Sequence, residues 1–205
     1  MKYQISQQQL DKITFNFDGE IYYGVLQHWY PLFWQRLAGC GPACATNLLA
    51  CIDHNTKLVT KQDCIFAMRA MWKHVTPGLR GLNKVENFAK GCDNFFDEHN
   101  LPYKCSFVKI NPKKADNFDK MICFLKDSFA NDQPVAFLNL SNGDIKELER
   151  WHWVTIVGIE QKDDDYIATV FDSDFKFEMS LKLWFDTATN PAGFARFTNV
   201  WTDKK

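Results

Sequence analysis

The sequence predicts an α+β domain with a mostly antiparallel sheet, and three observations carry that prediction. Between residues 43 and 130, apolar positions recur at helical spacing in successive stretches, with a single alternating segment among them. Beyond residue 130 the pattern changes to short β-branched and aromatic runs separated by polar turns. No internal repeat, low-complexity tract or Pro/Gly/Ser-rich linker interrupts the 205 residues, a length that suits one domain with its own core. That domain reads as an N-terminal hairpin and loop (1–33), a mainly helical part (34–130) and a mainly β part (131–205).

"ITFNFDGEIYYGVL" alternates apolar and polar residues around Asp18-Gly19, the signature of a hairpin. An aromatic loop, "QHWYPLFWQ", leads to "WQRLAGCGPACATNLLACID". Here Cys44, Leu48, Cys51 and Ile52 fall on one helical face, which predicts a buried helix over 43–52 with Gly41-Pro42 at its entry. Helical patterns follow at about 61–75 and 82–100, separated by the loop "TPGLRG". Residues 103–110 alternate as a strand, and 114–130 place Phe118, Met121, Ile122, Leu125 and Phe129 on one helical face. Strands are predicted at 134–140, 152–159 and 166–171, with a final pair near 174–184 and 193–201.

Composition narrows the function. A formal net charge of -1, with Lys and Arg scattered, leaves no footprint for nucleic acid or an anionic membrane. The N-terminus lacks the apolar core of a signal peptide, and no apolar run reaches the ~18 residues of a membrane span, so a cytoplasmic protein is expected. Seven cysteines, without a CxxC pair or Cys/His doublets at zinc spacing, predict neither a disulfide framework nor a metal centre.

Most of these cysteines fit buried positions. Cys40 differs because it stands just before the helix start, where the dipole and free N–H groups favour a thiolate. Such a nucleophile needs a base. His54, His74 and His99 lie near helix ends and read as solvated, and His28 sits in the aromatic loop. His152 opens the most apolar strand between Trp151 and Trp153, which gives a fixed backbone and a shielded ring. The next strand ends in "VFDSD". A turn centred on residue 162 sets Asp172 across from His152, and one centred on 163 sets Asp174 there. Gln35, ahead of Cys40, offers a side-chain amide for a developing oxyanion.

Gln35, "GCGPAC" opening a helix, "HWVTIVGI" and "VFDSD", in that order, resemble the papain-like cysteine peptidase superfamily. They are most similar to its bacterial branch of peptidases that remove double-glycine leaders, and to their stand-alone relatives. The resemblance implies a helical part carrying the Cys helix, packed against a sheet carrying His and Asp. It implies Cys40 as nucleophile, His152 as base, Asp172 as its orienter and Gln35 as oxyanion donor, with no cofactor and a peptide or small amide as substrate. Two departures stand out: Gly39 occupies a position where the family often has Asp, and the Gln-to-Cys spacing is one shorter than in the plant-type enzymes.

Overall fold

The structure, a computed structural model, describes residues 1–200. The chain runs β1 (Lys2–Gln4), α1 (Gln7–Lys12), β2 (Thr14–Phe17), β3 (Glu20–Tyr23), a 3-10 turn (Gln27–Trp29), α2 (Phe33–Ala38) and α3 (Cys40–Ile52). It continues through α4 (Lys61–Trp72), α5 (Val85–Glu98), β4 (Tyr103–Ile110), α6 (Asp116–Ala130) and β5 (Val135–Asn139). The last elements are β6 (His152–Lys162), β7 (Asp165–Asp172), β8 (Phe175–Ser180), α7 (Leu181–Thr187) and β9 (Ala192–Asn199).

The main sheet is antiparallel in the order β4-β9-β5-β6-β7-β8. β6 is its longest strand, and two short strands share one of its edges: β5 pairs with its first half and β1 with its second. Strand alternation gives the sheet two apolar faces. Val135, Phe137, Val154, Ile156 and Phe194 join α6 and α7 in one core cluster. Ala136, Leu138, Trp153, Ala195 and Phe197 pack with α3 and α5 in another. Phe88 of α5 stacks on Trp153 at 4.3 Å between ring centroids, and Trp153 Nε1 donates to the Leu82 carbonyl at 2.7 Å. These contacts pin the start of β6 to the helical layer.

The β2–β3 hairpin turns at Asp18 and Gly19, both at positive φ, as the sequence predicts. Four elements depart from expectation: α2, α7, β1 and α1. The aromatic loop ends in α2, which begins at Phe33 and runs to Ala38 and whose six residues are too few for a periodic signal. The segment predicted as a strand at 174–184 is β8 followed by α7, because the Ser180 hydroxyl caps a helix by accepting from Leu183 N–H at 2.8 Å. β1 and α1 precede the predicted hairpin; Ser6 caps α1. Trp201, the end of the last predicted strand, lies outside the described residues.

Candidate active site

Cys40 is the first residue of α3, and the preceding Gly39 offers no side-chain cap. The N–H groups of that first turn have no intrahelical acceptor, so the positive end of the helix lies at the thiol. Gly39 has no room for a side chain: a Cβ there would stand 2.4 Å from the Gln35 carbonyl oxygen and 2.7 Å from the Tyr30 ring. That close approach explains why an Asp is not accommodated at this position. Pro42 falls two residues inside the helix rather than at its first position.

The other thiols are set apart by burial. Burial pushes those of Cys44 and Cys92 well above the ordinary range, and those of Cys51 and Cys64 up to about 12. Cys40 is partly exposed and Cys123, on α6, is exposed.

His152 is the first residue of β6 and Asp172 the last of β7. His152 Nε2 lies 2.8 Å from Asp172 Oδ1, with the two side chains 14% and 9% exposed. Cys40 lines the same small cavity as this ring, and with Nε2 engaged by Asp172 the nitrogen left for the thiol is Nδ1. Burial disfavours the imidazolium. The Asp172 carboxylate and the neighbouring Cys40 outweigh it and raise His152 from 6.5 to about 10. The direction of that shift favours the imidazolium form.

Asp174 is elsewhere. Thr155 faces Phe171 across β6 and β7, and a register shift between Ile156 and Gly158 moves the ladder. Continued from Thr155 towards its start, that ladder carries His152 opposite position 174. Yet Asp172 already pairs with Phe175 of β8, so Ser173 and the exposed Asp174 form the turn between strands. Asp172 thus reaches His152 from a diagonal position on the same face. The Tyr23 N–H, donating to the Ser173 carbonyl at 2.6 Å, holds that turn against the N-terminal hairpin.

Below the thiol, Cys44 Sγ and Thr155 Oγ1 are 3.2 Å apart. Asn47 Nδ2 donates to the same hydroxyl at 3.2 Å, and its Oδ1 accepts from Val25 N–H at 2.9 Å. Asn47 therefore ties the Cys helix to the His strand and to the chain leaving the hairpin. This network escaped the sequence reading, since Asn47 looks like an ordinary helix residue.

Gln35 is buried in α2, 8% exposed, with no hydrogen-bond partner for its Oε1. The small cavity shared by Cys40, His152 and Asp172 is lined instead by Gln27, whose Nε2 donates to the Arg36 carbonyl at 3.0 Å. On the other side of Cys40 opens an apolar groove of ≈ 390 Å³, walled by Trp34, Leu37, Leu82, Leu138 and Trp151. Trp151 sits at φ 58, a left-handed conformation that bulky residues rarely adopt, immediately before His152. Nothing in the sequence pattern marks Gln27 or the backbone of Trp151.

A helix carrying a cysteine at its N-terminus, packed against an antiparallel sheet that presents a histidine, defines the papain-like fold. Among solved structures, UfSP from C. elegans is similar at a TM-score of 0.55 and 10% identity, over 96% of this chain and 34% of that one. The likeness shows that this chain shares the papain-like fold of that structure. The chain spans only 34% of the length of that protein. No family model and no curated protein matches the sequence.

Proposed function

We propose that this chain is a cysteine-dependent hydrolase that cleaves an amide (peptide) bond through a thiol acyl-enzyme. The observation that carries the reading is the 2.8 Å His152–Asp172 pair sharing one small cavity with Cys40 at the start of its helix. The Cys40 thiolate attacks the carbonyl carbon, and the electron pair moves to the oxygen. The Cys40 N–H and a glutamine amide hold that oxyanion. The resemblance assigns the amide to Gln35, and the cavity wall offers Gln27 as the competing donor. The imidazolium proton passes to the leaving nitrogen as the C–N bond breaks, leaving a thioester. Neutral His152 then takes a proton from water as the water oxygen attacks the thioester carbon; the C–S bond breaks, the acid leaves, and the Cys40 thiolate and His152 imidazolium are regenerated.

Within the superfamily we place the chain nearest the double-glycine-leader peptidases, on the Gln35, "CGPA" and "HWV" elements. The same acyl-enzyme serves an amidase or acyltransferase on a small molecule. The open apolar groove beside Cys40 favours a substrate that brings a bulky apolar group. Cytoplasmic action is supported by seven free thiols, a state maintained in a reducing compartment. No helix among the described residues is long and apolar enough to cross a membrane.

The test is mass-spectrometric detection of new termini in a proteome-derived peptide mixture incubated with the protein. Cleavage is expected with the wild type and absent with Cys40→Ala. Equal cleavage by both would contradict the proposal. Gln35→Ala and Gln27→Ala, compared on any cleaved peptide, identify the oxyanion donor by the larger fall in kcat, about 100-fold.

A further inference from the structure

The ends of α4 and α5 bring together His74, Glu98 and His99, whose ligand atoms all lie within 4.8 Å of one another. This cluster is remote in role from the Cys40 site and takes no part in the chemistry above. We propose that it is a binding site for a borderline divalent transition ion of the Zn²⁺ type, held by two imidazoles and one carboxylate.

The sequence builds the cluster in a definite way. On α5, Gly91, Phe95, Glu98 and His99 fall on one stripe, at successive turns of the helix. Gly91 lets that stripe close on the end of α4: a Cβ there would stand 2.6 Å from the His74 carbonyl oxygen. His74 is fixed in turn by its N–H donating to the Met71 carbonyl at 3.1 Å. Phe95 then lies against both rings, its centroid 5.5 Å from that of His74 and 4.4 Å from that of His99. This packing restricts both imidazoles before any ion arrives. Glu98 completes the set, with Oε2 3.6 Å from His74 Nε2.

The donor set selects the ion. Two neutral imidazoles and a carboxylate suit Zn²⁺, Co²⁺ or Ni²⁺, whereas Mg²⁺ and Ca²⁺ prefer oxygen alone. Ligand bonds of about 2.0–2.1 Å at tetrahedral angles separate the donors by roughly 3.4 Å. The His74–Glu98 pair is already near that spacing at 3.6 Å. The exposed His99 closes the remainder by a side-chain adjustment, and water completes the tetrahedron. The expectation that these two histidines are simply solvated needs correcting for His74, whose side chain is only 11% exposed. Bound there, the ion clamps α4 to α5, the helix whose Phe88 stacks on Trp153 beside His152.

The experiment uses the full chain with Cys40→Ser and Cys123→Ser, which removes the partly exposed and exposed thiols as competing ligands. Co²⁺ titration is followed by visible absorption, and Zn²⁺ by calorimetry and by thermal melting. One equivalent is expected to bind at micromolar or lower concentration, to raise Tm, and to be displaced by EDTA. His74→Ala and His99→Ala should each weaken binding at least tenfold. His99 is exposed, so its variant serves even where His74→Ala fails to fold. Binding that is absent at 100 µM metal, or present but indifferent to His99→Ala, would overturn the proposal. Catalytic activity is not the readout, so failure here leaves the hydrolase reading untouched.

Discussion

Asp172 Oδ1 sits 2.8 Å from His152 Nε2, and both side chains are largely withdrawn from solvent. An imidazolium in that position depends on its carboxylate. Asp172→Ala leaves the charge without a counter-ion, and breaking a buried pair costs about 3–5 kcal/mol. Asp172→Asn keeps the shape but loses the charge, and is expected to lower kcat/KM by ~100-fold or more. Asp174→Asn, in the exposed turn, should change kcat/KM less than twofold. Steady-state kinetics and urea denaturation of the three variants check this.

The raised pKa of His152 gives a pH window. Its value moves from 6.5 to about 10 on folding, so the pair's contribution to stability is fully present below pH 6.5 and is lost as pH rises through about 10. The excess stability of wild type over Asp172→Asn should therefore shrink between pH 7 and pH 10.5. Turnover needs the imidazolium as the acid for the leaving nitrogen, so the alkaline fall in kcat/KM is expected near pH 10. A fall centred near 6.5 would contradict the assigned ion pair.

Asn47 is predicted to support the site from beneath. Asn47→Ala removes its bonds to Val25 N–H and Thr155 Oγ1, both in buried surroundings. Stranding buried polar groups costs ~1–3 kcal/mol each. Thermal melts should show a clear loss of stability. Activity should fall as well, since Thr155 lies three residues from His152 on the same strand.

The apolar groove gives a prediction about substrate binding. Leu37→Glu sets a carboxylate on its wall and is expected to raise KM about tenfold, equivalent to ~1.4 kcal/mol, with kcat little changed. Trp151→Gly removes the same wall and also relieves a bulky residue at φ 58. The relief offsets the entropy cost of glycine, so stability should stay within about 1 kcal/mol of wild type while KM rises. A kcat effect without a KM effect would show that the groove does not hold substrate.

Local signals carried much of this structure. Asp18-Gly19 specified the first hairpin, an alternating run broken only at Phe107-Val108 specified β4, and the spacing of Cys44, Leu48, Cys51 and Ile52 specified the buried helix. What escaped was set by distance along the chain. β1 is a three-residue strand that gains its place by pairing with β6, and α2 exposes Phe33 and Leu37 instead of presenting an amphipathic face. The choice between Asp172 and Asp174 turned on a register shift and on the β7–β8 turn, neither of which counting from one turn centre reveals. Gln27 on the cavity wall and the stripe facing His74 likewise depend on how separate elements pack.

The most direct test of the central claim is the alkylation rate of Cys40 at pH 7, mapped by mass spectrometry in a Cys123→Ser background with a low dose of iodoacetamide. The account predicts that Cys40 is labelled stoichiometrically and far faster than Cys44, and that His152→Ala slows it by at least tenfold. Labelling of Cys40 no faster than Cys44, or unchanged by His152→Ala, would contradict a nucleophile activated by this histidine.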